Sequence, residues 1–121
     1  MFSPEFVTGA SAHAGRLRIG LRLNWFRPLP LSCVEQLEVT DGVGPLGAGV
    51  LSLDGHDYPV DDLAAHDDVW WHTPSEAWIA LPWEDRAGPL RVTIRTRIPL
   101  LVDHTGSAVA VLDSALVEVE A

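Results

Sequence analysis

Residues 16 to 23 read RLRIGLRL, an alternation that leaves this chain few folds to choose from. Leu17, Ile19, Leu21 and Leu23 share one parity, and Arg16, Arg18, Gly20 and Arg22 share the other, the period-2 signature of a strand with one face buried and one in water. Residues 90 to 98 repeat the design, with Leu90, Val92, Ile94 and Ile98 inward and Arg91, Thr93, Arg95 and Arg97 outward. Further strand-like runs follow the same vocabulary: VEQLEVT at 34 to 40, a hairpin at 49 to 60 turned by Asp54-Gly55, EAWIAL at 76 to 81, and a last run at 108 to 120 with an expected bend at Asp113-Ser114. Asp-Gly is a favoured type I′ turn pair. A short helical turn is expected over Asp62 to Ala65 with Asp61 as its cap. Helical periodicity is absent over any useful length. Seven or eight short strands separated by Gly, Pro and Asp turns predict an all-β fold, an antiparallel β-sandwich of immunoglobulin-like or jelly-roll-like kind, or a flattened barrel. At 121 residues the chain is expected to form one domain around a single core, with at most that one helical turn.

All eight cationic side chains are arginines, on a chain whose net charge is -9. Such a surface repels phosphate backbones, which argues against nucleic acid as a partner. If the two arginine-bearing strands share a sheet, their outer faces form a positive stripe. Either Glu35, Glu38, Glu118 and Glu120 interleave with it as exposed ion pairs, or part of it meets an acidic partner through the planar fork of the guanidinium. The start of the chain lacks the basic and apolar regions of a signal peptide, and no apolar run reaches the length of a membrane-spanning helix. The one cysteine, Cys33, sits among apolar neighbours and reads as an inert packed thiol that suits a reducing cytoplasm.

Candidate chemistry is sparse. The glycines at 42, 44, 47 and 49 form a surface loop with no helix after it to bind phosphate. His66, Asp67, Asp68 and His72 make the densest polar cluster, but their spacing matches no metal-binding helix motif. The pairs Asp61/Asp62 and Asp67/Asp68 are adjacent in sequence, so in extended chain they point to opposite sides rather than at one reacting centre. No catalytic residue and no metal ligand is expected in this chain.

The segment RLNWFRPLPLSCVEQLEV, residues 22 to 39, carries more information. Pro28 and Pro30 fix φ and push the residues before them out of the helical region, so Arg27 to Pro30 is extended or turning. The stiff corner either plugs the end of a β core with its rings or presents Trp25, Phe26 and Arg27 to a partner, residue types enriched at protein contacts. Trp78, on the opposite parity from Ile79 and Leu81, faces outward, either as a binding surface for a carbohydrate, aromatic ligand or subunit, or covered by the Trp70-Trp71 loop.

The order of these segments resembles the small (β) subunit of bacterial C-glycoside deglycosidases. A family pattern R-x-x-Y-Y-R-G-x-P-L-S-x-x-E-x-[IL]-x-[LV] is matched by Arg22, Trp25, Phe26, Arg27, Pro30, Leu31, Ser32, Glu35, Leu37 and Val39. A second, G-x-x-Y-[ST]-[LV]-[DE]-[DE]-L, is matched by Gly55, Tyr58, Val60, Asp61, Asp62 and Leu63, and a later strand pattern loosely by Leu90 to Ile98. The likeness covers about residues 16 to 102. Pro28 stands in place of a family glycine, and Trp25-Phe26 in place of Tyr-Tyr. The resemblance implies an accessory, non-catalytic subunit, inactive alone, of a heteromeric C-C lyase. Its larger α subunit would be a (β/α)8 barrel holding a divalent metal, Mn2+ or similar, and the acid/base residues, within a higher-order hetero-oligomer. The substrates implied are plant polyphenol C-glycosides whose sugar has been oxidised to the 3-keto form. The residues expected at the partner interface are Arg22, Trp25, Phe26, Arg27, Pro30, Trp70, Trp71 and Trp78. The rival expectations are a stand-alone carbohydrate-binding β-sandwich and a purely structural subunit.

Overall fold

Alternating burial along short runs organises the chain. The computed structural model describes residues 6–23, 25, 27–41, 44–47, 49–83, 89–102 and 104–119. Strand β1 (Val7–His13) turns into β2 (Arg16–Arg22), whose Leu17, Ile19 and Leu21 are fully buried while Arg16, Arg18 and Arg22 are exposed. The turn between them places both Ala14 and Gly15 at positive φ, the same geometry that Asp54 and Gly55 adopt in the predicted hairpin of β5 (Val50–Leu53) and β6 (His56–Pro59). Two consecutive residues in the left-handed region match the right-handed twist of the strands they join, so both turns set a tight register. Ser52 Oγ adds a 2.6 Å bond to Asp57 Oδ1 across the second hairpin.

Three sheets result. The largest runs β1-β2-β8-β5-β6, with β8 spanning Glu76–Pro82. A three-stranded sheet runs β10-β9-β4, built from β4 (Val34–Thr40), β9 (Leu90–Val102) and β10 (Ala108–Val117). A two-stranded ribbon pairs β3 (Leu29–Pro30) with β7 (Trp70–Trp71). Every pairing is antiparallel. The inner faces of the two larger sheets share one hydrophobic cluster, in which Ile19, Leu51 and Ile79 of one sheet join Val39, Val92 and Ile94 of the other. This is the expected antiparallel sandwich. Each such side chain, fully withdrawn from water, contributes roughly 1.5–3 kcal/mol. Eight of the strands have four or more residues, and β3 and β7 are additional two-residue pieces.

Several details depart from the sequence reading. Strands β2 and β9 lie in different sheets, so the arginines do not form one stripe: Arg16, Arg18 and Arg22 face out from one side of the sandwich, Arg91 and Arg95 from the other. Period-2 alternation tells which face a residue takes, not which sheet its strand joins. The β9–β10 ladder is continuous through Asp113 and Ser114, where a bend was expected; the irregularity lies between Ala108 and Val109 instead. Among the described residues helical structure consists of two 3-10 turns, Leu31–Cys33 and Val60–Ala65. The second starts at Pro59, whose φ of -57° already suits a helical entry, and no side chain caps it, so Asp61 lies in its first turn rather than at its cap. Strand β1 was not foreseen, because VTGASAH has no apolar alternation and is held by pairing with β2. Arg86, Glu120 and Gly42 lie outside the described residues. No helix among the described residues is long and apolar enough to cross a membrane.

Candidate functional site

The two prolines and the two tryptophans meet. Leu29 pairs with Trp71 and Pro30 with Trp70 in the ribbon of β3 and β7. A proline has no N–H to give a central ladder, which confines it to a narrow edge such as this. The chain after Pro30 is pinned by Leu31 N–H donating to Val69 O at 2.8 Å and Ser32 N–H to His66 O at 3.1 Å. Local stiffness from Pro28 and Pro30 thus meets a partner strand far away in sequence, and together they fix the direction in which the adjacent side chains project.

A groove opens there. It is lined by Trp25, Arg27, Pro28, Leu29, Pro30, Trp70, Ile98, Pro99 and Leu101, with a volume of about 450 Å3. Its far wall comes from a break in the β9–β10 ladder: Val109 pairs with Ile98 but Ala108 pairs with Val102, leaving residues 99 to 101 without partners on β10. Such a bulge re-aims side chains out of the sheet. Trp70 is 49% exposed and Leu101 43% exposed, both unusual for large apolar groups. Beneath them Trp71 is fully buried, and its Nε1–H donates to Ser75 O at 3.0 Å. Among the described lining residues Arg27 alone is charged, a guanidinium on a chain of net charge -9.

No family model matches the chain. A curated C-glycoside deglycosidase beta subunit from Arthrobacter globiformis is 30% identical over 97 residues, which cover 74% of this chain and 74% of that protein. The chain belongs to the C-glycoside deglycosidase beta-subunit family. For a member of that family the groove is the feature that stands out, since it gathers Trp25, Arg27, Pro30 and Trp70 from the eight residues expected at a partner interface.

The remaining four fall elsewhere. Trp71 lies under the groove, in the core, and offers no surface of its own. Phe26 lies outside the described residues. Arg22 and Trp78 sit on the outer face of the five-stranded sheet, where Arg22 stands opposite Glu76 and Trp78 opposite Gly20. Trp78 is half-buried. Its indole lies against Gly20, where an added Cβ would come within 3.2 Å of the ring and would also strike Thr8 Oγ1. The Arg18 guanidinium lies over the ring, 4.7 Å from its centroid, a cation–π arrangement. The outward indole is thus covered in part by its own sheet, through Gly20 and Arg18. Thr8 Oγ1 also donates to Glu76 Oε2 beside it.

The polar clusters hold little chemistry. His66 Nε2 lies 3.5 Å from Asp62 Oδ2, and its ring meets Tyr58 edge-on at 4.8 Å. Among the described residues no three histidine, cysteine, aspartate or glutamate side chains gather as a metal-binding set. A second cleft of about 530 Å3 between β4 and the turn at Val60–Ala65 is lined by Glu35, Glu38, Asp61 and Arg97 among others. Glu35 there turns to Arg95, with Oε1 at 3.4 Å from Nε, an exposed pair worth at most about 1 kcal/mol. Cys33 is buried. Sequence reasoning missed Leu101, Pro99 and Ile98 as groove residues; Pro99 within a strand run is the signal that marks a bulge.

Proposed function

We propose that this chain is the small, non-catalytic subunit of a heteromeric C-glycoside deglycosidase, and that the groove between Trp25, Arg27 and Trp70 is where its larger subunit docks. The observation that carries the reading is the concentration of half-exposed apolar surface around a single guanidinium, on a chain related to a protein named as a beta subunit. Rigid aromatic rings beside an arginine are the groups that dominate interface energetics, because they bury much area with few rotamers to lose.

The reaction assigned to the complex is cleavage of the C-C glycosidic bond in a 3-oxo-C-glycoside of a plant polyphenol. A ketone at C3 acidifies the C2 proton; a base removes it, the C1–C2 double bond forms, and the bond from C1 to the aglycone breaks as the aglycone carbon gains a proton. The base and the divalent metal belong to the larger subunit, a (β/α)8 barrel in this reading. The present chain supplies shape and contacts at that subunit's surface, and several copies of each chain assemble.

The test is assembly. Trp25→Ala and Arg27→Ala should each lower recovery of the larger subunit on an affinity-tagged small chain, with turnover of 3-oxo-C-glycosides falling in step. Unchanged recovery and turnover in both variants would remove the groove from the interface.

A further inference from the structure

Strand β10 is the outermost strand of its sheet and, among the described residues, pairs with β9 alone. It is ten residues long, and none of its side chains is charged except Asp113. Natural edge strands are commonly short or guarded by lysine, proline or a bulge, since a row of unpaired N–H and C=O groups is a template for another strand. From Val109 to Val117 this one has no lysine, proline or bulge, and its single inward charge is Asp113, opposite the buried Ile94. It also exposes two leucines on its outer face, Leu112 at 60% and Leu116 at 61%.

The apolar residues of that edge are mirrored about Ser114, although Asp113 faces Ala115 and Ala110 faces Glu118 in the same reflection. Leu112 mirrors Leu116, Val111 mirrors Val117, and Val109 mirrors Val119. We propose that β10 pairs antiparallel with β10 of a second copy of this chain across a dyad at Ser114, fusing two three-stranded sheets into one of six strands. A two-fold contact must be self-complementary, and the three mirrored apolar pairs, 109/119, 111/117 and 112/116, meet that condition. Leu112 then stands opposite the second copy's Leu116, with Cβ atoms about 5 Å apart on the outer face, so that both exposed leucines are covered at once.

Charge fits the same register and disfavours others. Glu118, exposed one residue beyond the strand, falls opposite the second copy's Ala110. Ala110 pairs with Arg97 in its own sheet. The small alanine leaves room for the carboxylate to reach over it toward that guanidinium, and the dyad makes the contact twice. Asp113 meets the second copy's Ala115, so no like charges oppose each other along the seam. A shift of two residues would replace the leucine pairs by leucine against Ser114 and move Glu118 off the row of Arg97.

The dyad at Ser114 lies opposite Thr93, away from the groove at Ile98 to Leu101, although the end of the seam at Val109 reaches the strand that lines it. The experiment is sedimentation of the intact chain over a range of concentrations, with site-directed cross-linking. A monomer–dimer equilibrium is expected, and Leu112→Glu and Leu116→Glu should each raise its dissociation constant about tenfold or more, while leaving the thermal melt nearly unchanged at concentrations low enough for the parent chain to be monomeric. Glu118→Arg should weaken the dimer, and adding Arg97→Glu should restore it. Under mild oxidation Ser114→Cys should give a reducible dimer, whereas Glu118→Cys should not. A chain that sediments as a monomer at every concentration, or Glu118→Cys cross-linking as readily as Ser114→Cys, would overturn the proposal.

Discussion

Trp70 and Trp71 are neighbours in sequence, yet alanine at one should damage assembly and at the other the fold. Trp71 is fully buried, and its indole N–H is bonded to Ser75 O. Emptying that site should cost about 3–5 kcal/mol, the range for a buried Phe or Trp cut to alanine. That is a large share of the roughly 5–15 kcal/mol by which a domain is stable. Trp70 is 49% exposed. Its open half, on the order of 100 Å2 of indole, has no core partner to lose but can be covered by a docked subunit. At about 25 cal/mol per Å2 that covering is worth on the order of 2 kcal/mol, or a roughly 30-fold change in dissociation constant. Urea denaturation of both variants, paired with titration of each against the larger subunit, separates the two effects. Trp71→Ala should be destabilised by about 3–5 kcal/mol. Trp70→Ala should unfold within about 1 kcal/mol of the parent and bind its partner far more weakly. Equal destabilisation by both, or undiminished binding by Trp70→Ala, would refute the division.

Other perturbations test the frame that holds the groove. Gly49→Ala should destabilise by about 1–3 kcal/mol in urea melts, because its Cβ would lie 2.7 Å from the backbone oxygen of Ala80 and 2.6 Å from Leu81 Cδ2; a neutral result would mean that β5 and β8 sit farther apart. Cys33, 2% exposed, should react with a thiol reagent only as fast as the chain unfolds, and fast labelling in native buffer would contradict its burial. Glu35→Gln should change stability by less than about 1 kcal/mol, since the pair with Arg95 is exposed on both sides.

Much of the fold was legible because one-sided burial writes itself into alternate residues. Leu17 to Leu23 and Leu90 to Ile98 announced their inner faces, and Asp54-Gly55 announced a turn that needs two positive φ angles. What stayed hidden depends on contacts far apart in sequence. Nothing in VTGASAH signals β1; the strand exists because β2 offers it an edge. The separation of the two arginine-bearing strands into different sheets is likewise a matter of topology. The site was half legible. Proline stiffness and aromatic content pointed to residues 25 to 30, but the wall made by Pro99 and Leu101 needed the break in the β9–β10 ladder. Trp78 was read correctly as outward, and only the structure shows that Gly20 and Arg18 cover it.

The most direct test measures turnover of a purified 3-oxo-C-glycoside by the small chain alone, by the larger subunit alone, and by the two co-purified. No cleavage by the small chain is expected at any concentration, and full activity is expected in the assembled pair. Cleavage by the isolated small chain would contradict this, because that would require catalytic groups on a chain that is here assigned only contacts and shape.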